Sequence, residues 1–146
     1  MSMRFDVQNQ LCDEQAFTAT AVSENSYKKQ SAAQDISIGR RMALLVLPTI
    51  SAGAGSTHIL AAVQADVTAL TTNIEVLGSV TVLAANLTTD DQIEIPIPQG
   101  SMTRQFLGFR DTISGGATTV TLDVYLVPQD EIPEYKSFPR GPIASV

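Results

Sequence analysis

Residues 104–113 and 118–127 are two strand-length runs, the second alternating apolar and polar side chains, and only Ser114-Gly115-Gly116-Ala117 separates them. A period of two is the side-chain repeat of an extended strand, and glycine supplies the positive φ that a tight turn requires. The pair predicts an antiparallel hairpin. Its second strand turns Val120, Leu122, Val124 and Leu126 inward and Thr119, Thr121, Asp123 and Tyr125 outward.

The same punctuation recurs upstream. Residues 16–22 form a first run, ended by the turn-prone Ser23-Glu24-Asn25-Ser26, and Asp35-Ile36-Ser37-Ile38 closes on Gly39. Residues 42–47 are apolar on both faces, which predicts a fully buried central strand. After the flexible loop at 51–56, residues 58–65 read as a strand with Ile59 and Val63 on one face and His58, Leu60 and Gln64 on the other. Gly78-Ser79 interrupts residues 74–83 as a bend or bulge within one long strand. Residues 92–97 alternate Ile93, Ile95 and Ile97 against Gln92, Glu94 and Pro96, and the proline marks an edge. Roughly eight strands spaced about 8–15 residues apart, without a helical pattern, are the cue for a β-sandwich or jelly roll.

At 146 residues the chain has the size of one domain. It is 44% hydrophobic and only 16% charged, the reverse of a disordered chain. The net charge of −6 argues against nucleic acid and anionic membranes, both of which attract a surplus of Lys and Arg. No run approaches the roughly 20 apolar residues of a membrane span, and the N-terminus lacks the apolar core of a signal peptide. Cys12 is the sole cysteine and suits a reducing cytoplasm. It reads as a spectator near the terminus.

Catalytic signals are weak. His58 is the single histidine, no G-x-S-x-G surrounds a serine, and a strand-end role is expected for it. Gly53-Ala54-Gly55-Ser56-Thr57 lacks the lysine of a phosphate loop and precedes a strand, not a helix. Asp90-Asp91 with Glu94, and Asp13-Glu14, are acidic pairs without calcium-loop spacing and read as solvated turns. We therefore expect no enzyme, no metal and no cofactor. Residues 128–146 hold four of the seven prolines, with Ile132, Tyr135, Phe138 and Ile143 isolated between them. Such a stretch is either a solvated tail or an extended arm whose anchors dock into a neighbour.

The string Gln15-Ala16-Phe17-Thr18-Ala19-Thr20-Ala21-Val22-Ser23-Glu24-Asn25 resembles the N-terminal signature of the capsid cement (decoration) proteins of short-tailed double-stranded-DNA bacteriophages. Asp35-Ile36-Ser37-Ile38-Gly39, Pro98-Gln99-Gly100 and Arg104-Gln105-Phe106-Leu107 are similar to later elements of that family, in the same order. The resemblance spans about residues 5–127. Tyr27-Lys28-Lys29-Gln30 departs from it, and the tail after Val127 is longer than the family's.

The strand pattern and the proline-rich composition after Val127 divide the chain into an N-terminal arm (1–14), a sandwich (15–127) and an extended Pro-rich C-terminal arm (128–146). The resemblance implies an all-β, jelly-roll-like β-sandwich for the middle part. It further implies a cement protein on the outer surface of the virion capsid, made in the host cytoplasm. Its partners would be the phage major capsid protein and further copies of itself, as homodimer or homotrimer, with no nucleic acid or membrane. On that reading Tyr135, Phe138 and Ile143 are expected as anchors, and Arg40, Arg41 and Arg104 as charge contacts. The alternative is a receptor- or glycan-binding β-sandwich of a phage tail or fibre, for which few aromatics are present.

Overall fold

The computed structural model describes residues 10–28, 41–50, 55–89, 91–98, 100–115 and 119–128. They form nine strands: β1 (Gln10–Phe17), β2 (Ala21–Val22), β3 (Tyr27–Lys28), β4 (Met42–Ile50), β5 (Ser56–Ala65), β6 (Glu75–Leu83), β7 (Ile93–Ile97), β8 (Phe106–Gly115) and β9 (Val120–Pro128). One 3-10 turn, Ala84–Asn86, follows β6. The first sheet has the order β1-β9-β4-β7. The second runs β2-β8-β5-β6, with β3 also paired to β8. Every pairing is antiparallel. Among the described strands, only β5 and β6 are both consecutive and hydrogen-bonded neighbours; most other connections cross between the sheets. That order is a jelly roll.

The apolar alternation decides which face each strand buries. Leu44 and Val46 of β4 and Val120, Leu122, Val124 and Leu126 of β9 face Leu60 and Ala62 of β5 and Leu107 and Phe109 of β8 in one core. Phe17 meets Phe109 edge-on, with ring centroids 5.6 Å apart at 81°. Each such fully buried side chain contributes about 1.5–3 kcal/mol. The other face of β4 is buried too: Ala43, Leu45 and Leu47 cluster with Val127, and Tyr125 packs against them. The two-sided apolar run at 42–47 thus occupies the interior position its composition requires.

Several local expectations hold. β7 is an edge strand, with Pro96 exposed and Ile95 and Ile97 buried. Residues 75–83 are one strand whose register slips between Ala62/Gly78 and Val63/Val76, leaving Leu77 as the extra residue of a bulge.

The hairpin expected at 104–127 does not form. β8 pairs with β5, β2 and β3, while β9 pairs with β1 and β4 in the opposite sheet. Gly115, at the end of β8, has a positive φ of 93°. A glycine turn is compatible with either arrangement. What decides is that, apart, β8 pairs with β5 along its whole length and takes β2 and β3 on its other side, while β9 gains both β1 and β4. The first strand also shifts. β1 begins at Gln10, inside the expected N-terminal arm, and residues 18–20 bend before β2. Cys12 lies in β1 and is wholly buried in the core, where desolvation pushes its thiol far above the ordinary range. The element at 35–38 and the arm beyond Pro128 lie outside the described residues.

Two close approaches fix the layers. A Cβ on Gly78 would stand 2.7 Å from the carbonyl oxygen of Pro96, so β6 and β7 approach where there is no side chain. In the β5–β6 loop, Leu70 adopts a positive φ of 58° and is fully buried. Its side chain occupies the space a Cβ on Gly108 would need. Gly78→Ala meets backbone that cannot swing aside and should lower stability by about 1–3 kcal/mol. The exposed neighbour Ser79→Ala should change it by less than about 0.5 kcal/mol. Urea unfolding midpoints of the two variants test this contrast.

Candidate functional site

The alternation of β5 puts Ser56, His58 and Leu60 on its inward face, and Asp111 lies on the inward face of β8. Leu60 is directly opposite Asp111, so His58 reaches that carboxylate along a cross-strand diagonal. The His58 Nδ1 to Asp111 Oδ2 distance is 2.8 Å, and Ser56 Oγ lies 3.1 Å from His58 Nε2. His58 and Asp111 are completely buried and Ser56 is 7% exposed. With the carboxylate ionised, Nδ1–H donates to Asp111 and Nε2 accepts from the serine hydroxyl. That is the order of donors in a nucleophilic Ser-His-Asp relay.

A depression of about 320 Å³ borders Ser56, lined also by Gly55, Thr57, Leu83, Ala84 and Ser114. Its described lining contains no charged group to bind or polarise a substrate. Asp111 Oδ1 has no partner among the described residues. Burial raises the Asp111 carboxyl, and its bond to His58 offsets this only in part.

A second constellation explains the N-terminal sequence signature. Gln15 reaches out of β1 to the β2–β3 segment: its Nε2 donates to the Val22 carbonyl and its Oε1 accepts from Glu24 N–H. Glu24 returns a bond from Asp13 N–H, and Asn25 N–H donates to the Leu11 carbonyl. Ser23 N–H donates to the Phe109 carbonyl, and Ser23 Oγ accepts from Phe109 N–H. The Gln, Ser, Glu and Asn of the signature thus carry ladder-like bonds around the corner from the first sheet to the second.

The entry to β8 is stapled in the same way. The buried Gln64 accepts the N–H groups of Thr103 and Arg104 on one oxygen, at 2.8 and 3.0 Å. Arg104 then pairs with Glu75 at 2.6 Å and Asp66 at 3.1 Å. Hydrogen bonds from Asn73 and Arg104 hold Asp66 below the usual carboxylate range. Arg104, expected as a contact for an acidic partner, therefore spends its charge on the β5–β6 hairpin of its own chain. Arg41 is exposed directly before β4, which belongs to the other sheet. Arg40, Tyr135, Phe138 and Ile143 lie outside the described residues.

The acidic pairs have local tasks. Asp91 accepts from Thr88 N–H and Oγ–H within its own turn. Glu14 N–H donates to Asp123 at the irregular stretch of β1, where Glu14 has a φ of 47°. Among the described residues, no three His, Cys, Asp or Glu side chains are grouped to hold a metal ion. The contacts of Gln64 with Thr103 and Arg104 and of Asp111 with His58 link residues far apart in the chain, whereas those of Gln15 stay within ten positions. The sequence places Ser56 in a loop; the structure puts it in β5, on the same face as His58.

These features define a jelly-roll sandwich whose distinctive polar residues are staples between strands. The family model named Bbp16 matches residues 11–126, and the chain belongs to that family. The match runs from the start of β1 nearly to the end of β9, so the family unit is the whole sandwich. The family and the all-β fold are compatible with a phage structural protein. No curated protein matches the chain.

The buried relay generates a graded prediction. Ser56→Ala loses one hydrogen bond, about 1 kcal/mol. His58→Ala strands the Asp111 carboxyl in the core and should cost about 3–5 kcal/mol. A carboxyl raised in the folded state binds its proton more tightly there than in the unfolded chain. It therefore contributes stability at low pH that is lost as pH rises through its folded value. The stability difference between wild type and Asp111→Asn should accordingly grow in favour of wild type on acidification from neutral pH towards about pH 4. Thermal melts of both proteins across that interval measure it, and a difference that shrinks would reverse the assignment.

Proposed function

We propose that this chain is a capsid decoration protein. It binds the outer surface of a short-tailed phage head and bridges neighbouring major capsid subunits. The observation that carries this reading is that the Bbp16 match coincides with a complete jelly roll rather than with a fragment of one. The cement-like signature resolves into strand staples, as expected of residues that specify a fold more than a reaction. The surplus of acidic residues keeps a decorated particle soluble and offers packaged DNA no attraction.

A cement protein works by mass action. It binds the assembled shell and not the free subunit, so its binding free energy becomes shell stability. Contact with several subunits raises the effective concentration of each further contact. On this reading the protein is not an enzyme and needs no metal or cofactor; the Ser56–His58–Asp111 relay is a core staple. Its partners are the major capsid protein and its own copies, with no role for nucleic acid or membrane. Arg41, Arg40 and the anchors Tyr135, Phe138 and Ile143 are the contact residues to test first.

Purified protein mixed with undecorated mature heads should co-sediment saturably and raise the temperature at which the heads rupture. Tyr135→Ala and Phe138→Ala should each weaken binding by about 1–2 kcal/mol. Absence of binding to heads, together with binding to host cells or glycans, would reassign the sandwich to a tail or fibre.

A further inference from the structure

The two sheets carry their charge differently. Within the strands of the first sheet every charged residue is acidic: Asp13, Glu14, Glu94 and Asp123. In the second sheet Glu75 is taken up by Arg104, and Asp111 is buried on the inner face beside His58. That leaves two cations in its strands, Lys28 at the end of β3 and Arg110 in the middle of β8.

Arg110 stands on the outer face, because its chain neighbours Phe109 and Asp111 point inward. Directly opposite it are Ala61 of β5 and Val22 of β2. Ala61 is only 2% exposed and Arg110 is itself partly buried, as expected where a long aliphatic stem lies along the sheet. The Arg110 Nε is buried without a hydrogen-bond partner, and no described carboxylate pairs with the guanidinium. A partly desolvated charge without a counter-charge costs free energy, which a carboxylate from outside would recover.

The surroundings of Arg110 define the kind of partner. Leu70 covers the Gly108 end of this face. From Arg110 the open part runs past Thr112, Ile59 and Thr81 to Leu83, in register across β8, β5 and β6. Thr81 and Leu83 are exposed, and Thr112 and Ile59 partly so. A neutral patch with one cation suits a protein surface that offers a carboxylate among hydroxyl and apolar groups. Nucleic acid or an anionic membrane would call for a cluster of cations.

We propose that the outer face of β8, β5 and β6 docks on the major capsid protein, and that Arg110 pairs there with a capsid carboxylate. Such docking presupposes the capsid role proposed above and adds which face binds and what chemistry it recognises. A guanidinium presents a planar fork to a carboxylate, so charge and geometry both contribute.

The test is co-sedimentation of the full chain and its variants with undecorated mature heads. Arg110→Gln should weaken binding by about tenfold or more. Added salt should weaken the wild type more than this variant. Arg110→Gln removes no ion pair of the described fold and should keep the wild-type melting temperature. Thr81→Glu, on an exposed position of the same patch, should also weaken binding, and it carries the test should Arg110→Gln fold poorly. Glu14→Gln, on the other sheet, should bind as the wild type does. Carbodiimide should join the amine introduced by Arg110→Lys to the major capsid protein through an amide. Undiminished binding of both Arg110→Gln and Thr81→Glu, with the wild type still saturating heads, would overturn this docking face and leave the capsid role standing. Failure of the wild type itself to bind heads would overturn both. Retention on an acidic-glycan resin that depends on Arg110, without binding to heads, would assign the carboxylate to a sugar and overturn the proposal.

Discussion

Everything in this molecule depends on the packing of two central strand pairs, β4 and β9 against β5 and β8. The inward residues of these strands form a single apolar layer. Close packing there sets the sheet separation, and at Gly78 the backbones of β6 and β7 approach where there is no side chain. The edge strands are short, bulged or half-covered because the central pairs already supply the core. The polar chemistry lies where apolar packing cannot hold the chain: at the corners, at the entry to β8, and at the Ser56 end of the inner face.

The buried relay is costly to place in such a core, since an unpartnered carboxylate oxygen in low dielectric opposes folding. It persists because His58 and Asp111 satisfy each other across adjacent strands and Ser56 completes the imidazole. A network that is nearly satisfied specifies one register between β5 and β8, since a one-residue slip would expose it and bury the wrong face. Relay geometry alone is thus a poor guide to catalysis when its imidazole and carboxylate are sealed between sheets.

Much of the architecture was readable from residue order. Pro96 announced an edge, Gly78 a bulge, and the run at 42–47 an interior strand, because each depends on a residue's own backbone or on its immediate neighbours. The site was less legible. His58 reads as an ordinary strand residue until Asp111 is brought beside it, and Arg104 reads as a free surface charge until Asp66 and Glu75 take it up. Leu70, a loop leucine in a left-handed conformation, becomes a packed side chain only because Gly108 leaves room for it.

The sequence by itself determined that the chain is built of strands, which faces of them are apolar, and where they end. Period-two alternation and turn residues act over a few positions and do not depend on what lies across the core. The tertiary structure decided which strands are partners. The runs on either side of Gly115 and Gly116 are local candidates for a hairpin, yet they belong to opposite sheets, where β8 pairs with β5 along its whole length and β9 is covered by β4 on one side and β1 on the other. Pairing is a competition among all strands at once. Its outcome depends on contacts between residues up to about a hundred positions apart, which no local pattern encodes.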